Sequence, residues 1–157
     1  MDLNSIVDDL IKITKEKSRY LEEIYVLTEG QTIAIEEDNI EDLNELIEGK
    51  QLKIDHIKEL DIKFEGIVTQ IKKEFGVKEL SELSCENTEQ LQEEIQNIYA
   101  VLRKINLVEK ENTEALSKQK DALHGKITHT NRGKIAMMQY SGGSNYMNAV
   151  FFDKKIK

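Results

Sequence analysis

Over the first 27 positions apolar residues fall at Leu3, Ile6, Val7, Leu10, Ile13, Tyr20, Leu21, Ile24 and Leu27, with one gap at Lys17. Steps of three and four put them on one face, so the spacing predicts an amphipathic helix from the start of the chain. The apolar content thickens from Thr32 to Ile35 and is cut off by Glu36-Glu37-Asp38. Asp38 and Glu41 have capping-box spacing, in which the first side chain accepts from an orphan backbone N–H and the second reaches back. A break is expected at Asp38.

A second stripe runs through Ile40, Leu43, Leu46, Ile47, Ile54, Ile57, Leu60, Phe64, Ile67, Val68, Ile71 and Phe75. A helix of that span is on the order of 50 Å long and buries its stripe only against another of similar length, so the first two segments are expected to form an antiparallel hairpin. Gly76 suits the left-handed position after a helix. Val77, Leu80 and Leu83 then fit a short turn covering the bundle end, and Asn87-Thr88-Glu89-Gln90 repeats the capping-box spacing. The third stripe is Leu91, Ile95, Ile98, Val101, Leu102, Ile105, Val108, Ala115, Leu116 and Leu123, with Asn112 in the seam. A polar seam residue fixes register at some loss of stability.

Past Leu123 the helical signal weakens. Gly125 and Gly133 each cost roughly 1 kcal/mol relative to Ala, and Ile127, Thr128 and Thr130 are β-branched. The remaining apolar positions are Ile135, Met137 and Met138, so a helix here would depend on contacts with something else. The last stretch, YSGGSNYMNAVFFDKKIK, reads differently again and holds four of the nine aromatic residues. Its GGS is a hinge, and Tyr146, Val150 and Phe152 alternate with Met147, Ala149 and Phe151 as in an extended segment lying on an apolar surface. The chain therefore divides into a helical domain, 1–138, and a Gly-rich aromatic tail, 139–157.

Composition agrees with the periodicity. Proline is absent and charged residues reach 33%, which favours long uninterrupted helices. The expected fold is all-α: a long antiparallel hairpin plus a third long helix in a coiled-coil-like bundle, followed by an extended tail. No apolar run reaches membrane-spanning length, and MDLNSIVDD has acid where a signal peptide needs base, so a cytoplasmic protein is expected. Cys85 is alone and supports neither a disulfide nor a zinc site. Residues 1–117 carry 14 basic and 28 acidic side chains, net −14, and 118–157 carry 8 and 2, net +6, giving the overall −8. That balance argues against general nucleic-acid binding and gives the two ends different partners.

Little in the sequence points to catalysis. His56 stands alone, and His124 and His129 are five apart, which does not place both on one helical face for a metal. Gly49-Lys50, Gly125-Lys126 and Gly133-Lys134 lack the other residues of a phosphate loop. Glu36-Glu37-Asp38 and Glu93-Glu94 have no apolar surroundings that would raise one pKa. No enzyme, cofactor or metal is expected. Met137-Met138 with Tyr140 either completes the core or forms an adaptable contact surface, as flexible thioethers do.

The stretch TIAIEEDNIEDLNELIEGKQLKIDHIKELD resembles the FlgN family of flagellar export chaperones. It has an apolar cluster (Ile33 to Ile35), an acidic turn (Glu36 to Asp38), and a leucine-spaced helix (Ile40, Leu43, Leu46) with Lys50-Gln51 near its middle. FGVKELSEL resembles the family's joint between helices, and ENTEAL around Asn112 its Asn-containing third helix. The resemblance implies a cytoplasmic chaperone that holds the terminal helices of hook-associated proteins and delivers them to the export gate, binding chiefly through its C-terminal region. The candidate client-binding residues are Leu116, Leu123, Ile127, Ile135, Met137, Met138 and Tyr140, with tail contacts from Tyr146, Val150, Phe151 and Phe152. A self-associating structural coiled coil is the alternative; contact of the basic C-terminal 40 residues with nucleic acid or a membrane surface is weaker, because its aromatics and bases are segregated.

Overall fold

The computed structural model describes residues 2–83 and 85–122. They form three long helices, α1 (Leu3–Glu36), α2 (Ile40–Phe75) and α3 (Thr88–Ala122), with a 3-10 turn at Leu80–Glu82. The hairpin and the third helix stand where the apolar spacing predicts them. Asp2 starts α1 by accepting from the backbone N–H of Asn4 at 3.2 Å.

The reversal between α1 and α2 differs from the expected cap by one residue. Asp38 takes a left-handed backbone, φ 55°, and the α2 cap is Asn39, whose side chain accepts from the backbone N–H of Asp42 at 3.1 Å. Asp tolerates that conformation better than most non-glycine residues. Backbone N–H groups of Asp38 and Asn39 donate to the carbonyls of Ile35 and Ala34, satisfying the last acceptors of α1. Gly76 ends α2 in the left-handed region, φ 64°. The 3-10 turn is held by the Glu82 carboxylate, which accepts from the backbone of Lys78 at 2.8 Å, while Leu80 is buried under the bundle end.

α1 packs along both α2 and α3. Its pairing with α2 is antiparallel, since Lys17 meets Asp61 and Gln31 meets Lys50. Its pairing with α3 is parallel and held at a constant offset. Asn87 donates to the carbonyl of Asn4, Asn112 to that of Thr28 and Gln119 to that of Ile35, at sequence separations of 83, 84 and 84. The repeated 84 is a multiple of seven, so a heptad position on α1 faces a heptad position on α3 at every level.

The shared seam runs through Val7, Leu10, Thr14, Lys17, Leu21, Ile24, Thr28, Gln31 and Ile35 on α1. On α2 it is Leu43, Ile47, Lys50, Ile54, Ile57, Asp61, Phe64, Val68 and Ile71, and on α3 Leu91, Ile95, Ile98, Leu102, Ile105, Glu109, Asn112, Leu116 and Gln119. All are buried or half-buried. The apolar members fall into three clusters: one around Leu10, Ile71 and Leu91, a central one around Leu21, Ile24, Ile57, Leu102 and Ile105, and a smaller one of Ala34, Ile35, Leu43, Ile47 and Leu116 beside the α1–α2 turn. Each fully buried Leu or Ile contributes about 1.5–3 kcal/mol.

Two glycines separate backbone cost from packing cost, because a Cβ at Gly66 or at Gly76 would meet nothing within 4 Å. Gly66 lies inside α2, so Gly66→Ala is expected to raise stability by about 0.5–1 kcal/mol through helix propensity. Gly76→Ala is expected to lower it by about 1–2 kcal/mol through the left-handed backbone. Urea unfolding midpoints moving in opposite directions check this; both moving the same way contradicts it.

Candidate functional site

Between the central cluster and the turn-end cluster the seam turns polar on all three helices. Lys50 of α2 is 7% exposed, Glu109 of α3 is 4% exposed, and Gln31 and Asn112 are 1% exposed. The Lys50 ammonium donates to Gln31 Oε1 at 2.9 Å and to Glu109 Oε1, bridging α1 and α3 from α2. Asn112 Nδ2 donates to the Thr28 carbonyl at 3.1 Å, and Asn112 Oδ1 accepts from Thr32 Oγ1 at 2.6 Å. Thr28 returns its own hydroxyl to the Ile24 carbonyl at 2.7 Å.

The electrostatics follow from burial. Desolvation lowers the Lys50 pKa below its ordinary value, and the adjacent Glu109 carboxylate offsets part of that shift. An ammonium removed from water is tolerated only when paired and hydrogen-bonded. Lys50 meets that condition with one partner on each neighbouring helix. A second polar level lies nearer the other end, where Lys17 Nζ pairs with Asp61 at 2.5 Å and buried Thr14 donates to the Leu10 carbonyl.

Beyond the polar layer α3 completes its packing against the end of α1. Leu116, a candidate client contact, is 4% exposed among Ala34, Ile35, Leu43 and Ile47. Its side chain serves the core here and is not offered to a partner. One turn on, Gln119 Nε2 donates to the Ile35 carbonyl at 2.5 Å, so a side chain of α3 satisfies an acceptor at the end of α1. The other candidates, Leu123, Ile127, Ile135, Met137, Met138, Tyr140, Tyr146, Val150, Phe151 and Phe152, lie outside the described residues.

The remaining chemistry-bearing residues have structural or surface settings. His56 is exposed and stacks on Tyr20, with centroids 5.2 Å apart. Cys85 Sγ lies 3.0 Å from Thr88 Oγ1 at the start of α3. Among the described residues no three His, Cys, Asp or Glu side chains gather where a metal could bind, and no helix is long and apolar enough to cross a membrane. An open groove between α1 and α2 is lined by Ile13 and Ile67, with Lys12, Lys63 and Asp9 at its edge.

Reading the apolar residues alone missed the layer's charged members. Lys50, Asp61 and Glu109 interrupt their stripes, whereas a strict alternation of three and four residues through each interruption lands on all of them. Asn112 and the gap at Lys17 were the visible part of that pattern.

The described residues form a three-helix bundle with a filled seam, and the sequence continues past it with further apolar residues. The chain belongs to the FlgN family, since the family model described as FlgN protein matches residues 1–146. That family comprises flagellar export chaperones. No curated protein and no solved structure matches the chain.

The layer makes a sharp energetic prediction. Lys50→Met, which leaves the Glu109 carboxylate buried without its cation, is expected to cost about 3–5 kcal/mol. Adding Glu109→Leu and Gln31→Leu should recover most or all of that loss, because apolar groups of similar volume need no partners. Chemical denaturation of the single and triple variants checks it; a triple variant as unstable as Lys50→Met contradicts it.

Proposed function

We propose that this protein is a cytoplasmic flagellar export chaperone for hook-associated proteins of the hook–filament junction. It holds an amphipathic terminal helix of the client, prevents premature assembly and hands the client to the export gate. The observation that carries this reading is the way the bundle ends. The seam is filled through Leu116 and capped at Gln119, yet the sequence continues with Leu123, Ile127, Ile135, Met137, Met138 and Tyr140. Those residues are apolar side chains that the described core does not need. An amphipathic helix laid against such a stripe is a common mode of peptide recognition, and paired methionines suit a surface that must fit more than one client.

Self-association through the long helices is less well supported. A structural coiled coil needs an apolar stripe at steps of three and four left over for its partner. The described seam positions are consumed within one chain, with Leu10, Leu21, Ile24 and Ile105 at 0% exposure, and the exposed Val26, Ile33, Leu52 and Ile62 lie outside the seam without that spacing. The aromatic tail has a regulatory part in this reading: Tyr146, Val150, Phe151 and Phe152 cover the client-binding stripe until a client displaces them.

Hydrogen exchange on mixing with a hook-associated protein tests the assignment. Added protection is expected across 123–138, with residues 91–105 unchanged; no added protection across 123–138 sinks it. Deleting Ser144 to Lys157 should tighten client binding, and weaker binding in the truncated protein would make the tail part of the site instead of its cover.

A further inference from the structure

The outward face of the second half of α1 sets exposed aliphatic side chains among acids. Val26 and Ile33, seven residues apart, are 64% and 55% exposed. Glu22, Glu29, Glu36 and Glu37 are exposed and share that face at helical spacing, producing a strip that alternates acid with aliphatic side chains. Neither property alone identifies an occupant. Together they call for a segment that is both apolar and basic.

The chain supplies one at the right place. Because α3 runs parallel to α1 at an offset of 84, with Gln119 bonded to the Ile35 carbonyl, it leaves the described structure beside the α1–α2 turn, level with the end of this strip. The next residues, 123–138, carry Lys126, Arg132 and Lys134 and no acid, interleaved with Leu123, Ile127, Ile135, Met137 and Met138. The segment is 16 residues long, and so is the strip from Glu22 to Glu37. A reversal between antiparallel helices takes about two to five residues, so a segment turning back after Ala122 keeps roughly 11–14 residues, about 17–21 Å of helix, and reaches along most of the strip.

We propose that, without a client, residues 123–138 dock antiparallel on the Glu22–Glu37 face of their own α1. Their apolar side chains then lie over Val26 and Ile33, and their bases face Glu22, Glu29 and Glu36. The contact keeps the α1-facing side of the segment off water and out of wrong associations, and leaves to the aromatic tail only the side of the stripe that α1 does not cover. Its consequence for export rests on the client-binding reading above, whereas the contact itself is measurable with no client present.

Limited trypsin digestion of the full chain, with cleavage at Lys126, Arg132 and Lys134 followed by mass spectrometry, provides the test. Val26→Ser with Ile33→Ser removes exposed side chains only, so the melting transition should stay where it is. Cleavage at the three sites should be at least about tenfold faster than in the wild type, since proteolysis follows the population of the open form. Glu22→Gln, Glu29→Gln and Glu36→Gln together should act in the same direction, and salt should weaken the wild-type protection. Leu107→Ser, which removes an equally exposed aliphatic side chain from α3, should leave the rates unchanged. Equal cleavage in the wild type and the Val26/Ile33 variant overturns the proposal. Protection that grows with protein concentration also overturns it, by assigning the face to a second copy. Failure of the client experiment alongside accelerated cleavage here would leave the docking intact and remove only its link to export.

Discussion

The arrangement of the whole bundle turns on the ammonium of Lys50, which is buried between three helices and satisfied only there. Its partners, Gln31 on α1 and Glu109 on α3, come within reach in one register, and the Asn112 contacts to Thr28 and Thr32 hold the same register one turn away. Sliding α3 along α1 by one heptad would keep the apolar stripes in phase. It would also set the Asn112 amide level with Leu21 or Ile35 and carry Glu109 about 10 Å from Lys50 along the axis. Hydrophobic burial thus supplies most of the favourable energy but is nearly indifferent to a shift of seven residues, whereas unpaired buried charge is not.

That division of labour bears on function. The polar layer separates the large central cluster from the small one beside the α1–α2 turn, and the small cluster holds the last seam residues of α3. Few apolar contacts secure those last turns, and segments with few buried contacts open at the lowest free-energy cost. The chain passes directly from there into the residues proposed to meet a client. Opening of those last turns is consequently decoupled from the integrity of the central core.

Most of the fold was legible because the apolar residues repeat at three and four over each helix, and because Gly76 and the acidic stretch at 36–38 interrupt the repeat where the chain turns. The α2 cap was displaced by one residue, from Asp38 to Asn39, since either side chain can cap and only the backbone of the reversal decides between them. The direction of α3 was not predicted. It depends on side-chain bonds such as Asn112 to Thr28, which join residues 84 apart and leave no local trace. The Lys50–Glu109 pair was obscured for a related reason: a charged residue in a helical sequence reads as solvated surface unless the heptad is carried through it. The candidate residues beyond Ala122 rest on composition and resemblance, apart from Leu116, which the core has claimed.

The claim that buried polar pairing holds the register is tested by a distance across α1 and α3. Spin labels at Lys12→Cys and Gln96→Cys, both exposed and at the common offset of 84, in a Cys85→Ser background, report it through dipolar spectroscopy. A single narrow distance is predicted for the native layer. Combining Lys50→Met, Glu109→Leu and Asn112→Leu should introduce a second, longer distance from α3 displaced by one heptad, about 10 Å along the axis. The same single narrow distance in both proteins would show that apolar packing alone fixes the register and would contradict the account.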